Sequence, residues 1–296
     1  MFNNVLVGVD SHRGGRDAIA LSKVLLARAG ELTLATVYSG DARIWHRSET
    51  EHAVLERAHA LELLEHAREQ AGVAAQLRWR NSSSVGRGLH ELCEVLGSDL
   101  LVVGSSRHGL LGRVLIGDDT RAALNGVPCA IAIAPAGYAE QPVTIREVGV
   151  GYNATAESEH ALAVARKIAG EHDARLSAFE AVALPSYAFL GGPAPIDGAI
   201  DELVDSARGR IGSLGGVDAH AVYGHPAEEL ALFSASLDLL VVGSRDYGPV
   251  GRLVHGSTSH QLAHSARCPL LVLTRAARAS ETSIAHRAGG TAVTTC

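Results

Sequence analysis

The stretch LLVVGSSRHGLLGRVLIG occupies residues 100–117, and a related stretch, LLVVGSRDYGPVGRLVHG, occupies residues 239–256, 139 positions later. Four glycines and one arginine recur in the two stretches at identical offsets, which chance rarely produces. A second pair of matching segments, at residues 5–10 and 148–153, is separated by 143 positions, so the first copy is longer in its middle. An internal repeat of this length predicts two copies of one domain in tandem.

Each copy alternates short apolar runs with helical patterns, which is typical of a parallel sheet covered by helices. We predict strands near 4–9, 31–38, 75–80, 98–103 and 129–134, then near 147–152, 174–182, 217–223, 238–243 and 269–274. The predicted helices lie near 14–29, 48–71, 86–97 and 117–126, then near 155–172, 198–213, 225–236 and 257–266. The fold class is therefore α/β, with two tandem, doubly wound, five-stranded domains of Rossmann-like type.

The domain boundaries follow from breaks in these patterns. We place copy one at residues 1–137 and copy two at residues 143–275, joined by a linker (residues 135–142) that is rich in helix and strand breakers. Residues 276–296 are small and polar, and we predict a flexible tail there.

Composition and charge exclude several classes of protein. The 296 residues are 47% hydrophobic but only 4% aromatic, so the cores must be aliphatic, which suits parallel sheets buried on both faces. The formal net charge of −6 without a basic stripe argues against nucleic-acid binding, because phosphate neutralisation supplies most of that affinity. No apolar run approaches the roughly 18 residues that span a membrane, and no signal-peptide layout is present. We expect a cytoplasmic protein whose four well-separated cysteines are buried and reduced.

Two segments of each copy reach the edge of the sheet where ligands bind in this fold, beyond the carboxyl ends of the strands. One is the turn after strand one, with Asp10 or Asn153, and the other is the glycine-rich loop that runs into a helix at Gly117 or Gly256. Glycines let backbone amides approach a phosphate, and a helix N-terminus adds unpaired N–H groups. A carboxylate after strand one can accept hydrogen bonds from an adenine amino group or a ribose hydroxyl. These features predict a mononucleotide site, although the glycines could serve only tight turns and Asp10 could cap the next helix.

On these motifs the chain resembles the universal stress protein family, from about residue 2 to 275 and in both copies. The family pattern is a strand followed by Gly-x2-Gly-x9-Gly-(Ser/Thr), with an Asp that ends strand one. The resemblance implies the strand order 3-2-1-4-5, of the adenine nucleotide alpha hydrolase-like type, and pairing of domains through strand five. It also implies ATP or another adenine nucleotide as ligand. The two copies would then form an intrachain pseudo-dimer, while further dimerisation and the protein partner in the stress response are left open.

The resemblance assigns nucleotide-binding residues in both copies. In copy one they are Gly8, Asp10 and Val37 at the nucleoside end, then Gly104, Arg107, Gly117, Asp118 and Thr120 at the phosphates. In copy two they are Gly151, Asn153 and Ala181, then Gly243, Gly256, Ser257, Thr258 and Ser259.

Each copy departs from the family pattern at charged positions. Arg107 replaces the second motif glycine of copy one, and Asp118 and Asp119 follow Gly117, so negative charge stands where a triphosphate would lie. Two unit charges about 4 Å apart repel by roughly 1 kcal/mol in water, and Arg107 or a bound Mg²⁺ would offset this. In copy two Asn153 replaces the carboxylate and Asp246 the second motif glycine. We therefore predict two unequal sites, with the nucleoside favoured in copy one and phosphate oxygens in copy two.

The preferred function is a nucleotide-binding protein, not an enzyme, whose occupancy changes the surface offered to partners. The alternatives are a ligand-free interaction scaffold and a slow ATPase or phosphotransferase, for which Asp118, Asp119 or Asp246 would have to serve as the base. No phosphate-loop lysine is evident, which argues against a fast NTPase.

Several other features of the sequence have both a functional and a structural interpretation. The histidines His52, His59 and His66 recur every seven residues, about 10 Å apart on a helix, so we predict a solvated stripe and no metal site. Arg113 and Arg252 could reach phosphate or be structural, and the irregular residues 184–195 could cover the second site or form an ordinary loop.

Overall fold

A computed structural model describes residues 1–11, 13–38, 49–105, 112–114, 127–141, 144–183, 196–244 and 258–274. Within these ranges the strands are β1 (Phe2–Gly8), β2 (Leu26–Tyr38), β3 (Gln76–Asn81), β4 (Leu100–Gly104), β5 (Ala130–Ala134), β6 (Glu147–Gly151), β7 (Arg175–Val182), β8 (Asp218–Tyr223), β9 (Leu239–Gly243) and β10 (Leu270–Leu273). The helices are α1 (Arg13–Leu25), α2 (Glu49–Ala71), α3 (Val85–Leu96), α4 (Ala156–His172), α5 (Ile196–Gly212), α6 (Pro226–Phe233) and α7 (Thr258–Ser265). The predicted helix 117–126, the irregular residues 184–195 and the tail 276–296 lie outside the described residues.

The ten strands form one sheet in the order β3-β2-β1-β4-β5-β10-β9-β6-β7-β8. Each half of this sheet has the predicted order 3-2-1-4-5, with parallel neighbours throughout. The halves join where β5 and β10 pair antiparallel, with Ile133 opposite Leu270 and Ile131 opposite Val272. The predicted intrachain pseudo-dimer is thus confirmed, and it covers two strand edges that would otherwise be open to pairing with another chain.

The helices divide between the two faces of the sheet. Val5 and Val7 of β1 point to the face that packs against α1, α2, α4 and α5, whereas Leu6 points to the opposite face, with Leu89 of α3 and Leu230 of α6. This alternation is the two-residue period of a strand with helices on both sides. It explains why the strand sequences are continuous apolar runs.

One predicted boundary is wrong. The pattern predicts a helix over 14–29 and a strand from 31, but α1 ends at Leu25 and β2 begins at Leu26. Leu26 pairs with Phe2 of β1, and the register then shifts, so that Asn4 pairs with Glu31. The pairing with β1 therefore outweighs the helical preference of residues 26–29.

The copies also touch outside the β5–β10 pair. The amide of Val114, in the glycine-rich loop of copy one, donates to the carbonyl oxygen of Ala266 after α7, at 2.8 Å. On the opposite face, a ring nitrogen of His172 lies 3.2 Å from the carbonyl oxygen of Val24, which brings the ends of α4 and α1 together. The two copies are therefore in contact on both faces of the sheet, beside the β5–β10 pair.

The linker is ordered by a buried carboxylate. A short 3-10 helix, Tyr138–Glu140, follows β5. Asp17 of α1 is only 3% exposed, and its two carboxylate oxygens accept hydrogen bonds from the amides of Gly137 (2.9 Å) and Ala139 (2.8 Å). The side chain of Asp17 thereby fixes the linker on the first helix of copy one, and the backbone donors offset the cost of burying its charge.

Tyr138 brings a buried hydroxyl into this linker. The residue is 6% exposed, and among the described residues its hydroxyl oxygen has no hydrogen-bond partner. Burial raises the pKa of Tyr138 to about 12, and the neighbouring Asp238 and Cys268 add to this effect. The aromatic ring therefore stabilises the fold by packing, whereas the buried hydroxyl without a partner lowers its stability.

Replacing Tyr138 with phenylalanine should raise the free energy of unfolding at pH 7 by about 1 kcal/mol, because it removes a buried hydroxyl without a partner and keeps the ring. The folded-state pKa lies above the ordinary value of 10, so the native protein loses stability as the pH rises from 10 through 12, and the variant lacks this contribution. Urea denaturation at pH 7 and between about pH 9.5 and 11.5 measures both effects, with the exposed Tyr223→Phe as control. A variant less stable than the native protein at pH 7 would contradict the prediction.

Candidate functional site

The site predicted in each copy lies at the point where the strand order reverses. In copy one β1 lies between β2 and β4, and in copy two β6 lies between β7 and β9. The chain leaves the central strand on one side and later returns on the other, which opens a crevice beyond the carboxyl ends of the strands. Because β5 and β10 are antiparallel, the two crevices open at opposite edges of the sheet. Each copy therefore has a candidate site of its own.

The turn after β1 presents a carboxylate in copy one. Gly8 ends β1, and the amide of Val9 continues the pairing with β2 by donating to the carbonyl oxygen of Ala35 at 2.8 Å. Asp10 follows and is exposed. The structure thus places Asp10 just beyond the carboxyl end of β1, with its side chain exposed.

The corresponding turn of copy two is occupied by its own hydrogen bonds. The side-chain oxygen of Asn153 accepts from the hydroxyl of Thr155 at 2.7 Å. Thr155 is the N-cap of α4 and forms a capping box with Ser158, which satisfies amides that the helix leaves unpaired. Asn153 therefore supports the start of α4, and it differs from Asp10 in its surroundings as well as in its charge.

Tyr152 distinguishes copy two further. This tyrosine comes directly after Gly151 and donates a hydrogen bond from its hydroxyl to a carboxylate oxygen of Glu159 on α4. Burial and this hydrogen bond raise the pKa of Tyr152 to about 12. Copy one has Val9 at the matching place, which has no hydroxyl to make this hydrogen bond.

Gly104 and Gly243 have a packing role that sequence reasoning did not find. A methyl group on Gly104, at the end of β4, would lie 2.1 Å from the carbonyl oxygen of Gly14 in the first turn of α1. On Gly243 it would lie 2.6 Å from the carbonyl oxygen of Glu157 in the first turn of α4. Both glycines thus let strand four touch the backbone of the first helix. Their contact with a phosphate stays a prediction.

The second strand of each copy borders the same crevices. Val37 and Ala181 lie near the ends of β2 and β7 and are partly exposed. Val37 packs closely on α3, since a methyl group on Gly88 would lie 2.5 Å from a methyl carbon of Val37. Both positions present small apolar surfaces beside the turn after strand one, which suits the flat face of a base.

On the phosphate side, the structure describes only part of the predicted set. Thr258 is partly exposed and Ser259 is 5% exposed, both in the first turn of α7. Arg113 is exposed, and its carbonyl oxygen accepts from the amide of Ala136 at 3.2 Å. The remaining predicted residues lie outside the described ranges: Arg107, Gly117, Asp118, Asp119, Thr120, Asp246, Arg252, Gly256 and Ser257.

Two aspartates that sequence reasoning missed anchor the other edge of the sheet. Asp99 accepts hydrogen bonds from the amides of Asn3 (2.7 Å) and Asn4 (3.0 Å). Asp238 accepts from the amides of Arg146 (2.8 Å) and Glu147 (3.0 Å). Both precede the repeated LLVVG segment, so the repeat itself held the signal. They directly precede β4 and β9, bind amides at the starts of β1 and β6, and lie away from the ligand edge.

The described residues show neither a cluster of metal ligands nor a membrane-spanning helix. His59 and His66 are exposed on α2, while nothing is described of the side chain of His52. In the described part of the chain, no three or more His, Cys, Asp or Glu side chains come together as metal ligands. No helix there has both the length and the apolar composition that a membrane span requires.

Comparison with known proteins places these features in context. The model of the universal stress protein family matches residues 1–135 and again residues 144–274. A universal stress protein of Mycobacterium tuberculosis is 27% identical over 237 residues, which cover 77% of this chain and 78% of that protein. One from Thermus aquaticus is 35% identical over 135 residues, 42% of this chain and 95% of the relative. A universal stress protein of Archaeoglobus fulgidus has a similar structure, with a TM-score of 0.64 at 17% identity, over 92% of this chain and 98% of that one.

Proposed function

The chain belongs to the universal stress protein family, and from that premise we propose that it binds an adenine nucleotide and acts in the stress response through nucleotide-dependent interactions. The observation that carries this proposal is the placement of Asp10, exposed beyond the carboxyl end of the central strand where the strand order reverses. The protein acts by binding, without turning the nucleotide over.

The site of copy one is suited to the nucleoside. An exposed carboxylate at Asp10 accepts two hydrogen bonds, which matches either the two ribose hydroxyls or an adenine amino group. The partly exposed Val37 lies on the neighbouring strand and offers an apolar surface for the base. Asp118 and Asp119 weaken the binding of a triphosphate by charge repulsion, so we expect AMP or adenosine to bind this site as well as ATP does. We expect Mg²⁺ to increase the affinity for ATP but not for adenosine.

The site of copy two is suited to phosphate. Asn153 lacks the negative charge and already accepts a hydrogen bond from Thr155, which leaves a weaker acceptor for the nucleoside. The segment Gly256-Ser257-Thr258 leads into α7, where hydroxyl and backbone donors join the positive end of the helix dipole. The two sites are thus unequal, and a single-affinity description will not fit their binding.

The ligand is identified by mass spectrometry of small molecules released when the purified full-length protein is denatured. Native mass spectrometry of the desalted protein with ATP, AMP and cyclic AMP then counts bound ligands. We expect an adenine nucleotide, with two binding steps of different affinity. No released nucleotide, and no binding up to about 1 mM, where the binding free energy is only about −4 kcal/mol, would contradict the proposal and support a ligand-free scaffold. Phosphate release from ATP that Gly256→Ala abolishes would support a slow ATPase.

A further inference from the structure

Helix α1 exposes a row of cations on its outer face. Arg13, Arg16 and Lys23 are all exposed, and their spacing of three and seven residues places them on one side of a helix with 3.6 residues per turn. The opposite side of α1, including Leu21 and Leu25, is buried against the sheet. In a protein with a net charge of −6, such a row is a local exception.

Two other segments turn this row into a groove of about 430 Å³. The linker forms one wall with Gly137, Ala139 and Glu140, and the end of α2 forms another with Gln70 and Ala71. Cavities of 300–1,000 Å³ are typical of small-molecule sites. The linker wall is held in place by Asp17, through its hydrogen bonds to the amides of Gly137 and Ala139.

The charged side chains in the groove differ in how strongly they are engaged by other protein groups. Both carboxylate oxygens of Asp17 are used by the linker amides. Arg13 and Glu140 form an ion pair at 3.2 Å, but their side chains are 74% and 56% exposed, so the pair is weak and easily exchanged. Lys23 donates to the carbonyl oxygen of Ala71, at the end of α2. Among the described residues, no hydrogen bond or ion pair engages the guanidinium of Arg16, which leaves it available to a ligand.

We propose that this groove binds a small molecule with two anionic groups, phosphates or carboxylates, one held by Arg16 with Arg13 and the other by Lys23. Arg16 and Lys23 lie seven residues apart, or about 10 Å along the helix axis, and their long side chains can close on a ligand shorter than that. A guanidinium binds phosphate or carboxylate through two parallel hydrogen bonds, and an ammonium adds a mobile point charge.

The groove is a property of the tandem arrangement. In copy two the positions that match Arg13 and Arg16 are Ala156 and Glu159, and the linker that forms one wall is present only between the copies. The groove contains none of the residues proposed to bind adenine nucleotides. The inference therefore rests on a different set of residues from the proposed nucleotide sites, and it stands whether or not those sites bind ATP.

Isothermal titration of the full-length protein with fructose 1,6-bisphosphate at low ionic strength tests this inference. We expect saturable binding of one molecule per chain, weaker binding of inorganic phosphate and none of fructose. Arg16→Gln should lower the affinity for the bisphosphate at least tenfold, as expected for the loss of a charge-assisted hydrogen-bonded pair. The control Arg78→Gln should leave the affinity unchanged, because Arg78 is exposed on β3 outside the groove and, within the described ranges, its side chain hydrogen-bonds to Leu77 and Gln76.

Three results would overturn the inference. They are no saturable binding, equal affinity in the Arg16→Gln variant, and complete displacement of the bisphosphate by adenosine, which carries no anionic group and would therefore place the bisphosphate at a nucleotide site. Circular dichroism of Arg16→Gln checks that the variant is folded, which we expect since Arg16 is exposed.

Discussion

Replacing Gly104 with alanine should destabilise the protein by about 3 kcal/mol or more, because the new methyl group would lie 2.1 Å from the carbonyl oxygen of Gly14. The new methyl group would also lie 2.5 Å from the carbonyl carbon and 2.6 Å from the Cα of Gly14. They belong to backbone, so the first turn of α1 must move away from β4. For a chain of this size the melting temperature should fall by roughly 6–12 °C.

Gly243→Ala should have the same effect in copy two, where the methyl group would meet the carbonyl oxygen of Glu157 at 2.6 Å. The control is Gly170→Ala, inside α4, where the added methyl group has open space around it. We expect this control to gain about 0.5–1 kcal/mol, as alanine does over glycine within a helix. Urea denaturation measures all three, and a Gly104→Ala midpoint equal to that of the native protein would show that α1 yields without cost.

This packing changes how a loss of ligand binding must be interpreted. A Gly104→Ala variant that fails to bind nucleotide would not show that Gly104 contacts phosphate, since the displaced α1 lies next to the turn that carries Asp10. Variants at exposed side chains of the crevice are better probes than variants at the strand-end glycines.

The sequence was sufficient for the architecture because the buried parallel strands are continuous apolar runs that recur in both copies. The LLVVG segments became β4 and β9, and the order of the strands agreed with the family resemblance. The predicted start of β2 was wrong, because Leu26 pairs with Phe2 on the neighbouring strand. No local sequence pattern indicates such a pairing.

The candidate site was less predictable for a physical reason. A glycine that lets a phosphate approach and a glycine that lets two backbones touch have the same sequence signature, and the partner of Gly104 is Gly14, 90 positions away. Similarly, Asn153 resembles a weakened copy of Asp10 in sequence, but its hydrogen bond to Thr155 shows a capping role. The structure thus gives Asn153 a contact at the start of α4 that the sequence alone does not reveal.

The second large effect concerns this difference. Replacing Asp10 with alanine should weaken the binding of adenosine to copy one by about 10- to 100-fold, because hydrogen bonds to a charged group contribute roughly 1.5–3 kcal/mol. Adenosine is the appropriate probe, since it lacks the phosphates that copy two is proposed to favour. Isothermal titration of the full-length protein measures the loss, with urea denaturation of the variant alongside.

The matched control is Asn153→Ala, the same position in the other copy. Because the side-chain oxygen of Asn153 already accepts from Thr155, we expect this variant to keep the adenosine affinity of the native protein and to lose about 0.5–1 kcal/mol of stability through the weakened cap of α4. Equal losses of adenosine affinity in both variants would mean that the two turns contribute alike. An Asp10→Ala variant that binds adenosine as the native protein does would show that the carboxylate does not contact the nucleoside. The main support for a nucleoside-selective copy one would then be lost.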